Sequence, residues 1–502
     1  MKNLPVFVGA CLSGILAFLI SWTSPRRKPH GKPHSKPNII YIYADDLGYG
    51  ELGSYGQRKI RTPNLDRLAA EGMRFTQHYA GAPVCAPSRC MLMTGKDAGH
   101  AYIRGNYELG GFDDDREGGQ MPLPEGSFTV AKLMKRAGYV TGAIGKWGLG
   151  MRGTTGAPWL QGFDYFYGYL DQKQAHNYYP THLWENERWD SLQNPFFLVH
   201  RPLPRGAPDS SFDHYKGKDY SITKLTEKAL AFIRANKERP FFLYLPFTTP
   251  HVSLQAPDSA VRNYLGRFDE QPYYGEQGYA PCRYPLSTYA AMITYMDQEI
   301  GLILAAIGEL GLTDNTIVLF SSDNGPTFDV GGQNSEFFNS AGGLRGRKMD
   351  LYEGGIREPF IVKWPHRIPA GATSDLISTQ YDLMATLSEL TGVPASPNDG
   401  ISYLPTLLGH REQQRRHPYL YWEYPEKGGQ VAVRMGRWKG VRSDMQRNRS
   451  APWEIYDLQA DPGETIDISK LHPELITRFD SILKKEHQQA HIREWEFVHR
   501  KF

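Results

Sequence analysis

Four short apolar runs, each ending in a cluster of charged and polar residues, constrain this chain more than any other feature in it. Asn38–Tyr43 leads into Ala44-Asp45-Asp46, and Tyr139–Ile144 into Gly145-Lys146-Trp147. Phe241–Leu245 leads toward Thr248-Thr249-Pro250-His251, and Thr316–Phe320 into Ser321-Ser322-Asp323-Asn324-Gly325. Runs this rich in β-branched and aromatic residues read as strands buried on both faces, as in parallel sheets covered by helices. Helical patterns fill the intervals, over Asn64–Glu71, Phe128–Arg136, Lys224–Asn236 and Ser287–Leu310. The alternation predicts an α/β fold built on a large, mostly parallel sheet flanked by helices. Open sheets of this kind place ligands just past the carboxyl ends of their strands, where all four polar clusters fall.

The chain of 502 residues, 40% hydrophobic, is long enough for that body and a smaller second core. Predicted strands at Tyr419–Tyr424, Gln430–Met435, Trp438–Val441 and Trp453–Leu458, then a helix at Pro473–Glu486, give a C-terminal α+β subdomain over 415–502, after a main body at 38–414. Leu4–Trp22 is 19 residues without a charge, so 1–24 reads as a signal peptide or membrane anchor, and 25–37 as a Pro-rich basic tether. The chain is therefore expected to be exported: periplasmic, secreted, or membrane-anchored and facing outside the cytoplasm. A balance of 57 Lys+Arg against 54 Asp+Glu offers no support for nucleic acid as a partner. Cys11, Cys85, Cys90 and Cys282 form no metal-ligand spacing and no disulfide framework, although Cys90 and Cys282 could pair if the fold joined them.

Cys85-Ala86-Pro87-Ser88-Arg89 precedes an apolar helical stretch, and Pro87 and Ser88 are residue types that open helices. This predicts Cys85 just before a helix N-terminus, a seat that favours anions and suits a nucleophile facing a negatively charged substrate. Asp45 and Asp46 repel one another and persist in a cleft only with a cation beside them. With Asp323 and Asn324 they supply four hard oxygen donors, which fit calcium or magnesium better than zinc.

These segments together resemble the formylglycine-dependent type I sulfatases (arylsulfatase family) of the alkaline-phosphatase-like superfamily. The Cys-x-Pro-Ser-Arg…Thr-Gly signature is matched by Cys85, Pro87, Ser88, Arg89, Thr94 and Gly95. Lys146 lies in Gly-Lys-Trp, Lys348 in Gly343–Lys348 ahead of Tyr352–Pro359, and His251 matches the family histidine. The resemblance implies that a formylglycine-generating maturation enzyme converts Cys85 to an aldehyde whose hydrate is the nucleophile. It implies one Ca2+ held by Asp45, Asp46, Asp323, Asn324 and residue 85, with Arg89, Lys146, Lys348, His251 and Asp323 completing the catalytic set. Asp323 would help deprotonate the hydrate, and Lys348 or His251 would protonate the leaving oxygen. Asn324 stands where zinc phosphatases of the superfamily carry histidine. The implied reaction is hydrolysis of a sulfated carbohydrate or aryl sulfate, with a sulfated galactose or N-acetylgalactosamine as the expected unit. A formylglycine phosphodiesterase or phosphonate hydrolase, and a catalytically silent sulfated-glycan-binding protein, are the alternatives.

One position departs from the family pattern Gly-Lys-Trp-His-Leu-Gly: this chain has Gly148 in place of the histidine that accepts the second proton. His100 and His176 are candidate replacements. His100, Arg104, His176 and Asn177 are also the expected substrate contacts.

Overall fold

The structure, a computed structural model, describes residues 1, 3–4, 36–110 and 116–499. Nearly all of the predicted export or anchor segment, and the tether up to residue 35, lie outside the described residues.

In the body that begins at Lys36, one mixed, mostly parallel sheet has eleven strands. They are β1 (Asn38–Asp45), β2 (Met73–Tyr79), β3 (Val140–Lys146), β4 (Tyr165–Tyr169), β5 (His182–Glu185), β6 (Arg188–Ser191), β7 (Phe241–Pro250), β8 (Thr316–Ser322), β9 (Arg357–Lys363), β10 (Ala372–Ser374) and β11 (Ser378–Thr379). Their order is β10-β2-β9-β8-β1-β7-β3-β4-β5-β6, with β11 also on β2. The four strands that were legible as apolar runs, β1, β3, β7 and β8, form its parallel centre, and β1, β7 and β8 are buried along their whole length. Their polar carboxyl ends therefore emerge side by side.

Strand alternation sends Ile40, Ile42, Leu243 and Leu245 to one face, under the helices Pro63–Glu71, Ser221–Asn236 and Pro285–Glu309. Ile39, Tyr41, Phe242 and Tyr244 point to the other, under Cys85–Thr94, Val130–Arg136 and Asp382–Thr391. The Pro285–Glu309 helix is long and apolar enough to cross a membrane, yet two-thirds of its most apolar window is buried against this core. The two layers also exclude the Cys90–Cys282 disulfide. Cys90 belongs to one core and Cys282 to the other, both thiols are free, and Cys282 donates to Thr288 instead.

The C-terminal sheet (Leu420–Tyr424, Gln430–Met435, Trp438–Arg442, Glu454–Asp457) is antiparallel and buries both faces. Tyr421, Val431, Val433 and Ile455 pack on the helix Pro473–Glu486 through Leu475 and Phe479. Leu420, Trp422 and Tyr424 pack on Tyr79, Val84 and Ile356 of the main body, and Trp422 Nε1 donates to Ala80 O at 2.8 Å. This second face braces the loop that delivers Cys85.

Candidate active site

The site assembles from loops that the sheet has already brought together. Alternation along β1 would send Asp45 and Asp46 to opposite faces. A left-handed backbone at Asp46 (φ 63°), which Asp tolerates better than bulkier residues, ends the strand and lets both carboxylates reach one cluster. Lys348 arrives on a loop tied to its neighbours by backbone bonds: Lys348 N–H donates to Pro326 O and Met349 N–H to Pro83 O, both at 2.9 Å. Cys85 is the first residue of its helix rather than the residue before it, and the capping residue Val84 has no side-chain cap. Asn106 supplies an acceptor instead, its Oδ1 taking the Ala86 N–H at 3.2 Å. Nothing in the residues around Asn106 marks it for that role, because Ala86 is 20 positions away along the chain.

Every predicted member of the catalytic and metal set meets here, fully buried or nearly so. Lys146 Nζ donates to Asp45 Oδ2 at 2.6 Å, and Lys348 Nζ to Asp46 Oδ2 at 2.8 Å. Arg89 holds Asp323 Oδ2 with two donors, at 3.1 and 2.8 Å, and reaches Lys146 O at 2.8 Å with another. Cys85 Sγ lies 3.6 Å from Asp45 Oδ1 and 3.6 Å from Lys348 Nζ. His251 donates from Nδ1 to Val252 O, which leaves Nε2 as the acceptor facing Lys348 Nζ at 3.2 Å.

The electrostatics follow from burial and from these partners. Burial would raise Asp45, but Lys146 and Arg89 outweigh it and hold the carboxyl far below the usual range. Burial and the neighbouring Asp45 charge push Asp323 up to about 7 against the pull of Arg89. Burial pushes the Cys85 thiol up to about 12 despite Lys146 and Lys348, so it is a poor thiolate nucleophile as it stands. Burial, then Lys348, lowers His251 to about 4, which makes it a neutral imidazole near pH 7.

The donor set fits a hard cation. Ligand atoms of Asp45, Asp46, Cys85 and His251 lie within 4.8 Å of one another. Asn324 Nδ2 donates to Asp46 Oδ1 at 2.7 Å, while Asn324 Oδ1 is buried without a hydrogen-bond partner. Such an oxygen costs about 1–3 kcal/mol unless something positive meets it. Three buried aspartates face three buried cations, Arg89, Lys146 and Lys348, so an added divalent cation would leave a net positive site suited to an anionic ester.

The expected substrate contacts divide. His176 stacks on His251 with ring centroids 4.8 Å apart, and its Nδ1 meets His200 Nε2 at 3.0 Å. Asn177, just past the same helical turn, lines a separate cleft. Arg104, however, is a structural clasp: the side chain is buried, and four of its five N–H donors go to Ala101 O, Gln488 O, Gly99 O and Glu423. His100 belongs to the same junction, with Nδ1 3.0 Å from Asp399 and 3.3 Å from Asp97. Among the described contacts neither residue meets Cys85 or Gly148, which corrects both assignments and removes His100 as the replacement base.

Gly148 itself has a physical reason. Its φ is +72°, and a Cβ placed there would lie 2.6 Å from Gln172 Cγ. The Gln172 side chain occupies the space a side chain at 148 would need, with its Oε1 buried and unpartnered. Gly148→His is therefore expected to destabilise the fold by about 1–3 kcal/mol and to lower activity rather than restore a base. Thermal melting and turnover of Gly148→His, alone and with Gln172→Gly, check this; a more active single variant would contradict it.

Comparison with known proteins agrees with this geometry. Residues 37–393 match the Sulfatase family, and residues 346–489 match the family described as N-sulphoglucosamine sulphohydrolase, C-terminal. The chain is 31% identical to an N-acetylgalactosamine-6-O-sulfatase of Bacteroides thetaiotaomicron, covering 96% of this chain and 99% of that protein. It is 33% identical to arylsulfatase A of Homo sapiens, over 86% and 83% of the two chains. The solved structure of Ps i-CgsB in complex with k-i-k-neocarrahexaose superposes with a TM-score of 0.73 at 27% identity, covering 93% of this chain and 95% of that one.

Proposed function

The chain belongs to the sulfatase family, a sulfuric ester hydrolase, and from that premise we propose that it hydrolyses sulfate monoesters of glycans through a formylglycine at position 85 beside one calcium ion. The observation that carries the reading is the thiol of Cys85 held 3.6 Å from both Asp45 and Lys348, beside the unpartnered Asn324 oxygen. A cysteine placed so centrally, yet with its thiol pushed up to about 12, makes better sense as a precursor than as a thiolate.

Asp45, Asp46 and residue 85, whose ligand atoms converge, would hold the cation together with the unpartnered oxygen of Asn324 and with Asp323, which Asp46 N–H ties to the same cluster. The aldehyde hydrate and the cation together supply an activated oxygen nucleophile and charge neutralisation for the sulfate. The chain's own residues do the rest. Lys146, Arg89 and Lys348 already neutralise the carboxylates and line the place where sulfate oxygens arrive. Asp323, which burial and the Asp45 charge push up to about 7, can take a proton from the nucleophile. Of Lys348 and His251, 3.2 Å apart, Lys348 is the proton donor for the leaving oxygen, and neutral His251, its Nδ1–H committed to Val252 O, holds the Lys348 ammonium with an accepting Nε2.

The substrate class is a sulfated galactose or N-acetylgalactosamine unit, a reading supported by the N-acetylgalactosamine-6-O-sulfatase relative. Maturation of Cys85 requires a formylglycine-generating partner, and the uncharged stretch Leu4–Trp22 supports export, with or without a retained anchor.

The test is sulfate release, followed by ion chromatography, from 4-nitrophenyl sulfate, N-acetylgalactosamine 6-sulfate and galactose 6-sulfate, with 4-nitrophenyl phosphate as the competing ester. Sulfate ester turnover is expected to exceed phosphate ester turnover on the order of 100-fold. Faster phosphate ester cleavage, or no sulfate release, would overturn the proposal.

A further inference from the structure

A cleft of about 510 Å³ opens beside the helical turn that carries His176, whose ring stacks on His251. Its inner wall continues the loops that carry catalytic groups: Gln174 and Asn177 flank the helical turn of His176, and Arg152 follows Lys146 by a few residues. Its outer wall is the β5–β6 hairpin at the edge of the sheet. The register pairs Trp184 with Trp189 across that hairpin, so both indoles stand on one face, 5.9 Å apart and nearly perpendicular. His182 stacks on one side of the Trp189 ring at 4.0 Å, and Trp189 remains 62% exposed. His182 Nε2 and Trp184 Nε1 both hold Glu117, at 2.9 and 2.8 Å.

Aromatics in an edge hairpin ordinarily cover a core, and Trp184, 8% exposed, does so. Trp189 and Phe196, each more than half exposed at the mouth of a cleft, do not. An exposed ring on a sheet edge is an association liability, so its retention calls for a ligand. A rigid indole held from behind presents a flat apolar platform with its polar neighbours at the rim. The C–H face of a pyranose ring fits that platform. Gln174, Asn177 and Glu117 can meet its hydroxyls, and the exposed Arg152 can meet a sulfate or carboxylate on the next unit.

We propose that this cleft binds the sugars that continue the glycan beyond the reacting unit, so that the enzyme acts on anionic oligosaccharides with Trp189 and Phe196 as stacking platforms. The inference rests on the sulfatase reading for its chemistry and on the Trp184–Trp189 hairpin for its place.

The experiment compares wild-type enzyme with Trp189→Ala and Phe196→Ala on a small ester, 4-methylumbelliferyl sulfate, and on size-fractionated hexasaccharides of chondroitin sulfate and carrageenan. On whichever hexasaccharide is turned over, Trp189→Ala is expected to lower kcat/KM on the order of tenfold, through KM, with small-ester turnover and melting temperature nearly unchanged. Equal losses on small and large substrates, or none on either, would overturn the proposal. If wild-type enzyme releases sulfate from no ester, the catalytic reading has failed, and calorimetric binding of the hexasaccharides decides the cleft separately. Binding that Trp189→Ala weakens by a similar factor supports it. Absence of binding, or binding that the substitution leaves unchanged, overturns it.

Discussion

Cys85→Ala is expected to abolish sulfate release, with a loss on the order of 10⁴-fold or more, while leaving the fold intact. The loss is large because residue 85 supplies the nucleophile itself, and the surrounding cations retain only their binding contribution. The fold should survive because Cys85 forms no disulfide and its sulfur makes only long contacts, 3.6 Å to Asp45 and to Lys348. Cys85→Ser keeps the shape of the side chain and should lose turnover as well, since an alcohol in this setting is not an aldehyde hydrate. The complementary measurement is mass spectrometry of the tryptic peptide spanning residues 75–89. Active enzyme should show the aldehyde in place of the thiol. An active preparation carrying only unmodified cysteine would refute the mechanism.

Removing calcium is expected to be the second large effect, on the order of 10²–10³-fold in activity, reversed by adding calcium back. Melting should fall by only a few degrees, because Asp45, Asp46 and Asp323 each keep a cationic partner without the ion. Two variants separate binding from folding. Asn324→Ala deletes the unpartnered oxygen and the Nδ2 bond to Asp46 without breaking an ion pair, so it should shrink the calcium-induced rise in melting temperature while costing the calcium-free protein about 1.5–3 kcal/mol. Asp45→Ala strands the fully buried Lys146 and should cost about 3–5 kcal/mol with or without calcium. Full activity after chelation, with no calcium-dependent shift in melting, would count against the cation.

How much of this was legible in advance depends on how local the determining interaction is. The strand cores were legible because burial on both faces leaves an unbroken apolar run, and the polar residues that end β1, β3, β7 and β8 are where an α/β sheet must place its site. The catalytic set was legible because its members sit in short motifs. Errors arose where a residue's partner is remote in sequence. His100 and Arg104 were expected as substrate contacts, but they are held by Asp399, Glu423 and Gln488, some three hundred or more residues away. Cys90 and Cys282 remained open as a pair until the sheet came between them.

The amino-acid sequence by itself determined the α/β class, the strand cores, the signature cysteine and the chemical types of its companions, because period, length and motif spacing are local properties. Only the tertiary structure decided which of those companions touch. It brought Asp46 round by a left-handed turn, capped the helix of Cys85 with Asn106, filled the place of a side chain at 148 with Gln172, and set Trp189 at the mouth of a cleft. Each of these is a contact between segments far apart along the chain, or a backbone angle imposed by packing, and neither leaves a pattern in neighbouring residues.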